Sequence, residues 1–306
     1  MQPESSIEET ISRARPFGRV SLFMGDHSRV ASIKGTHRRL GSQNVLTTFG
    51  AFHSRDESAR HESALQTDAQ GLVVHQQAMM AVTFKVDGSE QPTVFTLSRA
   101  EDAPAVEPRL LYVEQPETGW PTLEEEELES RLAVIRDSVT LEALREEPDV
   151  AAYRQFYWRL GIDPTKRRPS AEALNRRIIA GKPFPRINPV VDRYNLVSAE
   201  HRVSIGGFNV PALEALTTSR EVTLRMAVEG EEFLGIGFPE PKPLTGKEVV
   251  LSADGFPFAL YPYRDSHETR IRGDDPACLF TFCAVPGLEE SRIEAAVTAL
   301  ASEFDA

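Results

Sequence analysis

The sequence predicts an α+β fold from three observations. Amphipathic helical patterns crowd into residues 122–201, short β-rich runs follow from 202 to 285, and one more amphipathic pattern ends the chain. Helices first and strands afterwards argue elements segregated around one sizeable sheet, since alternation would be the mark of a doubly wound parallel fold. The 306 residues, 41% of them hydrophobic, supply enough apolar surface for two ordinary cores.

Residues 1–105 are expected to form a small α+β unit. ESSIEETISRA has helical spacing at Ile7 and Ile11, and RVSLFM, NVLTTFGAF, AMMAVTFKV and PTVFTLS are β-rich with polar interruptions. Five of the seven histidines sit here, at His27, His37, His53, His61 and His75. None has the i, i+4 partner of a helical metal site and no cysteine is near, so no metal and no cofactor is expected. AEDAPAVEP has the small, acidic and proline-rich composition of a connection, which sets a second domain at 106–306. No run approaches the roughly 20 apolar residues of a membrane span, and Glu4, Glu8 and Glu9 stand where a secretory leader carries positive charge. The expectation is a soluble, cytoplasmic protein without a membrane partner.

In the second domain, Thr122 and Glu125 read as a capping box for a helix whose stripe is Leu123, Leu128, Leu132 and Ile135. Asp149 reads as the cap of VAAYRQFYWRLG, with Val150, Tyr153, Tyr157 and Leu160 on one side and Gly161 as its stop. Ser170 opens a third helix that closes at Gly181, and Asn188 followed by Pro189 opens a fourth. The β-like runs are VSIGGF, VTLRMAV, EFLGIGF, EVVLS, FPFALY and CLFTFCAV; LEESRIEAAVTALASEF closes the chain as a helix. Cys278 and Cys283 lie five apart on one strand, hence on opposite faces, and read as separate buried thiols.

The net charge of −12 is unevenly spread, with −9 over residues 111–150 and +7 over 151–190. Either two wet helix faces neutralise each other, or the basic block holds phosphates within an otherwise acidic protein. Nucleophile elbows, Walker loops and dinucleotide fingerprints are absent from the sequence. The paired glycines of SIGGFNV serve either a tight turn or the close approach of a ligand.

Taken together, DVAAYRQFYWRLGIDPTKRRPSAEALNRRIIAGKPFPRINPVVDRYNLVSA, IGGFNVPALE, LRMAVEGEEF and LYPYRDSHETRI resemble the B3/B4 domain of the phenylalanyl-tRNA synthetase β subunit, in a stand-alone form. The resemblance runs over roughly 130–306. It implies a mixed β-sheet flanked by helices, and a pocket that hydrolyses tyrosine mistakenly attached to tRNA. It also implies tRNA or aminoacyl-tRNA as the partner of a chain that is not itself a synthetase.

Matched residue by residue, Asn195 corresponds to a pocket asparagine, Asp192 to the acid before it and Phe208 to a pocket phenylalanine. The pocket histidine falls on Gly206, and Asp265 falls near the glutamate that separates tyrosine from phenylalanine. The resemblance thus assigns catalysis to Asp265 and Asn195, and substrate contacts to the Gly206–Gly207–Phe208 segment; the YRDSHET cluster itself adds Arg264 and His267 as further substrate contacts. Lys166, Arg167, Arg168, Arg176 and Arg177 are left to hold RNA phosphates. YRDSHET on its own supports either a functional cluster at a sheet edge or a turn capped by Asp265. Glycine in place of imidazole leaves a second expectation open, a non-catalytic module that binds an amino acid or similar small molecule.

Overall fold

The computed structural model describes residues 95–217 and 220–304, together with the backbone of five strands before them. These are β1 (Val20–Phe23), β2 (Val30–Ile33), β3 (Gln66–Thr67), β4 (Val73–His75) and β5 (Ala81–Phe84). The helix expected at 4–14, the run at 44–52 and all the N-terminal histidines except His75 lie outside the described residues.

The helices expected from 122 onward all form. They are α1 (Glu125–Ser138), α2 (Pro148–Arg159), α3 (Ser170–Ile179), α4 (Pro189–His201) and the closing helix, numbered α6 (Glu290–Phe304); a short α5 (Val210–Leu216) also forms, which the sequence did not predict. Leu128, Leu132 and Ile135 bury one side of α1, and Val150, Tyr153 and Tyr157 bury one side of α2. Two of the expected caps fail. The chain enters α1 one residue before Glu125 without a side-chain cap, so Thr122 is too far back to close a box. α2 begins on Pro148, whose fixed φ suits the first helical position, and Asp149 falls inside the first turn, where its carboxylate meets Arg292 at 3.3 Å. The α4 cap forms as read, Asn188 Oδ1 accepting from the Val191 N–H at 3.0 Å.

The later strands are β6 (Thr96–Ala100), β7 (Arg109–Glu114), β8 (Ile205–Asn209), β9 (Glu221–Met226), β10 (Glu232–Phe233), β11 (Lys242–Pro243), β12 (Val249–Ala253), β13 (Phe256–Tyr261), β14 (Arg264–Asp265) and β15 (Ala277–Phe282). They divide between two mixed sheets, not one, with β10 and β11 as a separate ribbon. One sheet has the order β2-β1-β5-β7-β15-β8, the other β14-β13-β12-β9-β6-β4-β3. Periodicity reveals which side of a strand is apolar but not which strand it will pair with. The hairpin β12–β13 is local, whereas β15 reaches back to β7.

β7 and β15 are buried on both faces. Leu110, Tyr112 and Leu279 join Phe208, Leu251 and Phe258 in one core; Leu111, Val113, Phe280 and Phe282 join α4 and α6 in another. Cys278 and Cys283 fall into these two separate cores as free thiols, as their spacing required. The connection read at AEDAPAVEP is not outside this arrangement. β6 lies before the expected boundary yet pairs in parallel with β9, and Phe95, Leu97, Ala103 and Val106 belong to the first core. Small apolar residues between prolines can be buried as readily as they can be solvated, and here they are buried.

Candidate functional site

β8 is the outer strand of its sheet and β14 the outer strand of the other, and the two edges meet. An outer strand presents backbone donors that need partners. On β8 these come from the segment around β14: Asp265 Oδ2 accepts from the Gly207 N–H at 3.1 Å, and the Thr269 carbonyl accepts from the Asn209 N–H at 2.8 Å. The far side of β14 is covered by the loop after β10. There the Ile236 N–H donates to the Asp265 carbonyl at 2.9 Å, and the His267 N–H donates to the Leu234 carbonyl at 2.8 Å. EFLGIGF was therefore only briefly a strand, because its second half serves as this cover.

The two glycines of β8 are there for space. A Cβ on Gly206 would sit 2.9 Å from Asp265 Oδ1 and 3.0 Å from Phe208 Cζ; on Gly207 it would meet Tyr194 at 2.8 Å and Ile271 at 2.9 Å. The glycines lie inside β8 and not in a turn, and the close approach they admit is that of the protein's own groups, with the carboxylate of Asp265 against Gly206.

Between the helical layer and the joined edges lies a cavity of about 940 Å³. Its wall includes Tyr194 and Asn195 from α4, Gly206 and Phe208 from β8, Thr281 and Cys283 from the β15 segment, and Arg264 and Asp265 from β14. Asn195 and Asp265 thus face one compartment. The Asn195 side chain makes no hydrogen bond among the described residues, although its backbone lies within α4. Burial pushes the Asp265 carboxyl up to about 7, against the opposing pull of the Gly207 N–H and the Arg264 guanidinium. The same burial, with the Asp265 charge nearby, holds the Tyr194 phenol neutral well above its ordinary range.

The remaining candidates separate clearly. Phe208 is fully buried and packs edge-on against Phe258 at 4.7 Å between centroids. Arg264 is tied to the Ile236 carbonyl and lies over the rings of Phe238 and Tyr263, which makes it part of the wall. Gly207 contributes its N–H to Asp265 and does not itself line the cavity. His267 is exposed and outside the lining, because the bend after β14 carries it past the edge. Asp192 is structural: it accepts from the Ile187 N–H at 2.7 Å and pairs with Arg186 at 3.0 Å.

Of the basic block, Lys166, Arg168, Arg176 and Arg177 line the cavity, and so does Lys182, which is not among the phosphate-binding residues expected from the sequence. Arg167 turns the other way and binds buried Glu248 at 2.8 Å. Among the described residues Lys166, Arg168, Arg177 and Lys182 make no ion pair, and Arg176 stands 3.9 Å from Glu172. The helix stop at Gly181 points to Lys182, whose N–H donates to the Arg177 carbonyl at 3.0 Å.

Comparison with known proteins gives a family match over part of the chain. The model of the B3/4 domain matches residues 152–297. No curated protein matches. Among solved structures, an N-terminal fragment of the phenylalanyl-tRNA synthetase beta-subunit from Pyrococcus horikoshii is similar at 15% identity and a TM-score of 0.31. That similarity covers 38% of this chain and 39% of the fragment, well under half of either. Residues 152–297, the stretch that matches the B3/4 domain model, hold every lining residue of the cavity except Leu141.

Proposed function

We propose that this chain binds the acylated 3′ end of a charged tRNA and hydrolyses a mischarged aminoacyl ester in trans. The observation that carries the reading is that Asn195 and Asp265 share one cavity whose lining also holds cations with no carboxylate to neutralise them. An ester between an amino acid and a ribose is already activated, so the site needs a placed water, a base and a donor for the developing oxyanion. Asp265 is the base. It takes a proton as the water oxygen bonds to the acyl carbon, and passes that proton to the ribose oxygen as the ester bond breaks, leaving a free amino acid and a tRNA hydroxyl. The free Asn195 amide donates to the carbonyl oxygen as it gains charge. Lys166, Arg168, Arg176, Arg177 and Lys182 hold the phosphates that lead to the ester.

The absence of an imidazole at Gly206 is consistent with this chemistry, because the space a side chain would take is filled by a carboxyl group whose pKa of about 7 suits a base near neutrality. The test is incubation with individually mischarged tRNAs, tyrosyl-tRNA among them, scored for loss of the amino acid. At least one ester is expected to decay faster than in buffer. Unchanged lifetimes across the panel would reject the enzyme and leave the non-catalytic binding module, for which a free amino acid should raise the melting temperature independently of salt.

A further inference from the structure

We infer that the anionic footprint of the ligand is confined to the cavity mouth, so that the site recognises a short acylated single strand and gains little from the body of a tRNA. This deepens the reading above and rests on it for the identity of the ligand. Elsewhere on the described surface the arginines are largely neutralised. Arg109, Arg131, Arg154, Arg193, Arg225 and Arg292 all hold carboxylates within 3.3 Å. At the cavity the pattern reverses, with Lys166, Arg168, Arg177 and Lys182 unpaired and Arg176 only distantly paired.

Beyond the mouth the field turns hostile to a polyanion. The start of α1 exposes Glu124, Glu125 and Glu126, and among the described residues only Glu125 has a cation near it, Arg186 at 3.9 Å. A long nucleic acid lying across the described surface toward α1 would meet these carboxylates. The cavity volume also falls in the range of roughly 300–1,000 Å³ that encloses a single small ligand. That suits a terminal nucleoside with its acyl group, and the mouth cations then meet the two or three phosphates next to it.

The experiment compares binding of two probes in which an amide replaces the ester: a 3′-aminoacylated trinucleotide and the corresponding full-length tRNA. Their dissociation constants are expected to agree within about tenfold, with a log–log salt slope of about −1.4 to −2.1, from about 0.7 per single-strand phosphate. Charge reversal at Lys166→Glu, Arg168→Glu or Lys182→Glu should weaken both probes at least tenfold. Arg159→Glu and Arg272→Glu, exposed and unpaired away from the cavity, should change neither by more than twofold. A tRNA that binds a hundredfold tighter than the trinucleotide, or control variants as damaging as the mouth variants, would overturn the inference while leaving the deacylase reading intact. Equal binding of both probes with no hydrolysis of any ester would do the reverse. Circular dichroism on each variant excludes misfolding as the cause of lost binding.

Discussion

At the scale of single residues the site turns on one side chain placed where another type would be expected. Asp265 lies over Gly206, satisfies the outer edge of β8 through the Gly207 N–H, and faces the cavity with a carboxyl that titrates near neutrality. Deacylation should therefore rise with pH up to about 7 and level off above it, measured as enzyme rate minus buffer rate. Replacing the base by Asp265→Asn should lower the rate about 100-fold or more. The folded chain keeps the Asp265 proton up to about pH 7, whereas the unfolded chain releases it near the ordinary 3.8. Ionisation therefore opposes folding, and stability contributed through this group is lost as pH rises from about 4 to about 7. Asp265→Asn keeps an oxygen for the Gly207 N–H, and its melting temperature at pH 8 is expected to exceed that of the parent even as activity collapses. Gly206→Ala forces a methyl to within 2.9 Å of the Asp265 carboxylate. It should cost at least tenfold in rate by moving the base, and calorimetry should show a smaller loss of stability.

The elements are fixed by a different set of contacts. Arg193 on α4 donates to the Pro121 carbonyl at 2.9 Å, to the Thr122 carbonyl at 2.8 Å, to Glu127 on α1 at 3.2 Å and to Glu303 on α6. It pins three helices at once while only 8% exposed. Arg193→Ala leaves the Pro121 and Thr122 carbonyls without this donor, while Glu127 and Glu303 keep Arg131 at 3.1 and 2.7 Å, and should destabilise the protein by about 2 kcal/mol in urea unfolding. Asn188→Ala removes the cap of α4 and should cost about 1 kcal/mol. Because α4 carries Asn195, a frayed first turn should also raise KM in the deacylation assay more than it lowers kcat. The element scale is where the sequence was most legible. The Asn188–Pro189 start of α4, the Gly161 stop of α2 and the Leu128–Leu132–Ile135 stripe each follow from backbone chemistry within one or two turns. Asp149 and Thr122 misled because a good capping residue near a helix start does not say which residue is last before the turn, and Pro148 took precedence at α2.

Across the whole molecule, charge divides into what holds the fold and what is left for a ligand. Arg167 illustrates the division: in the sequence it is one of three consecutive cations, yet it alone reaches buried Glu248, whose carboxyl the Arg167 guanidinium and the Thr245 donors hold below its ordinary value despite burial. Arg167→Ala should reduce stability by about 1 kcal/mol above pH 5, with the difference shrinking as the pH falls and Glu248 protonates, and should leave RNA affinity nearly unchanged. Lys166 and Arg168, its immediate neighbours, should behave oppositely. The sequence alone determined the helices and most strands, the two inert thiols on opposite faces and the existence of a basic block, since each depends on residues close together in the chain. Tertiary structure alone decided that the strands form two sheets whose outer strands meet, that Gly206 exists to admit Asp265, and which of the cations remain free. Those outcomes depend on partners 58 residues apart at Gly207–Asp265, 81 at Arg167–Glu248 and further still between β7 and β15, and no local pattern records which distant edge or carboxylate a side chain will find.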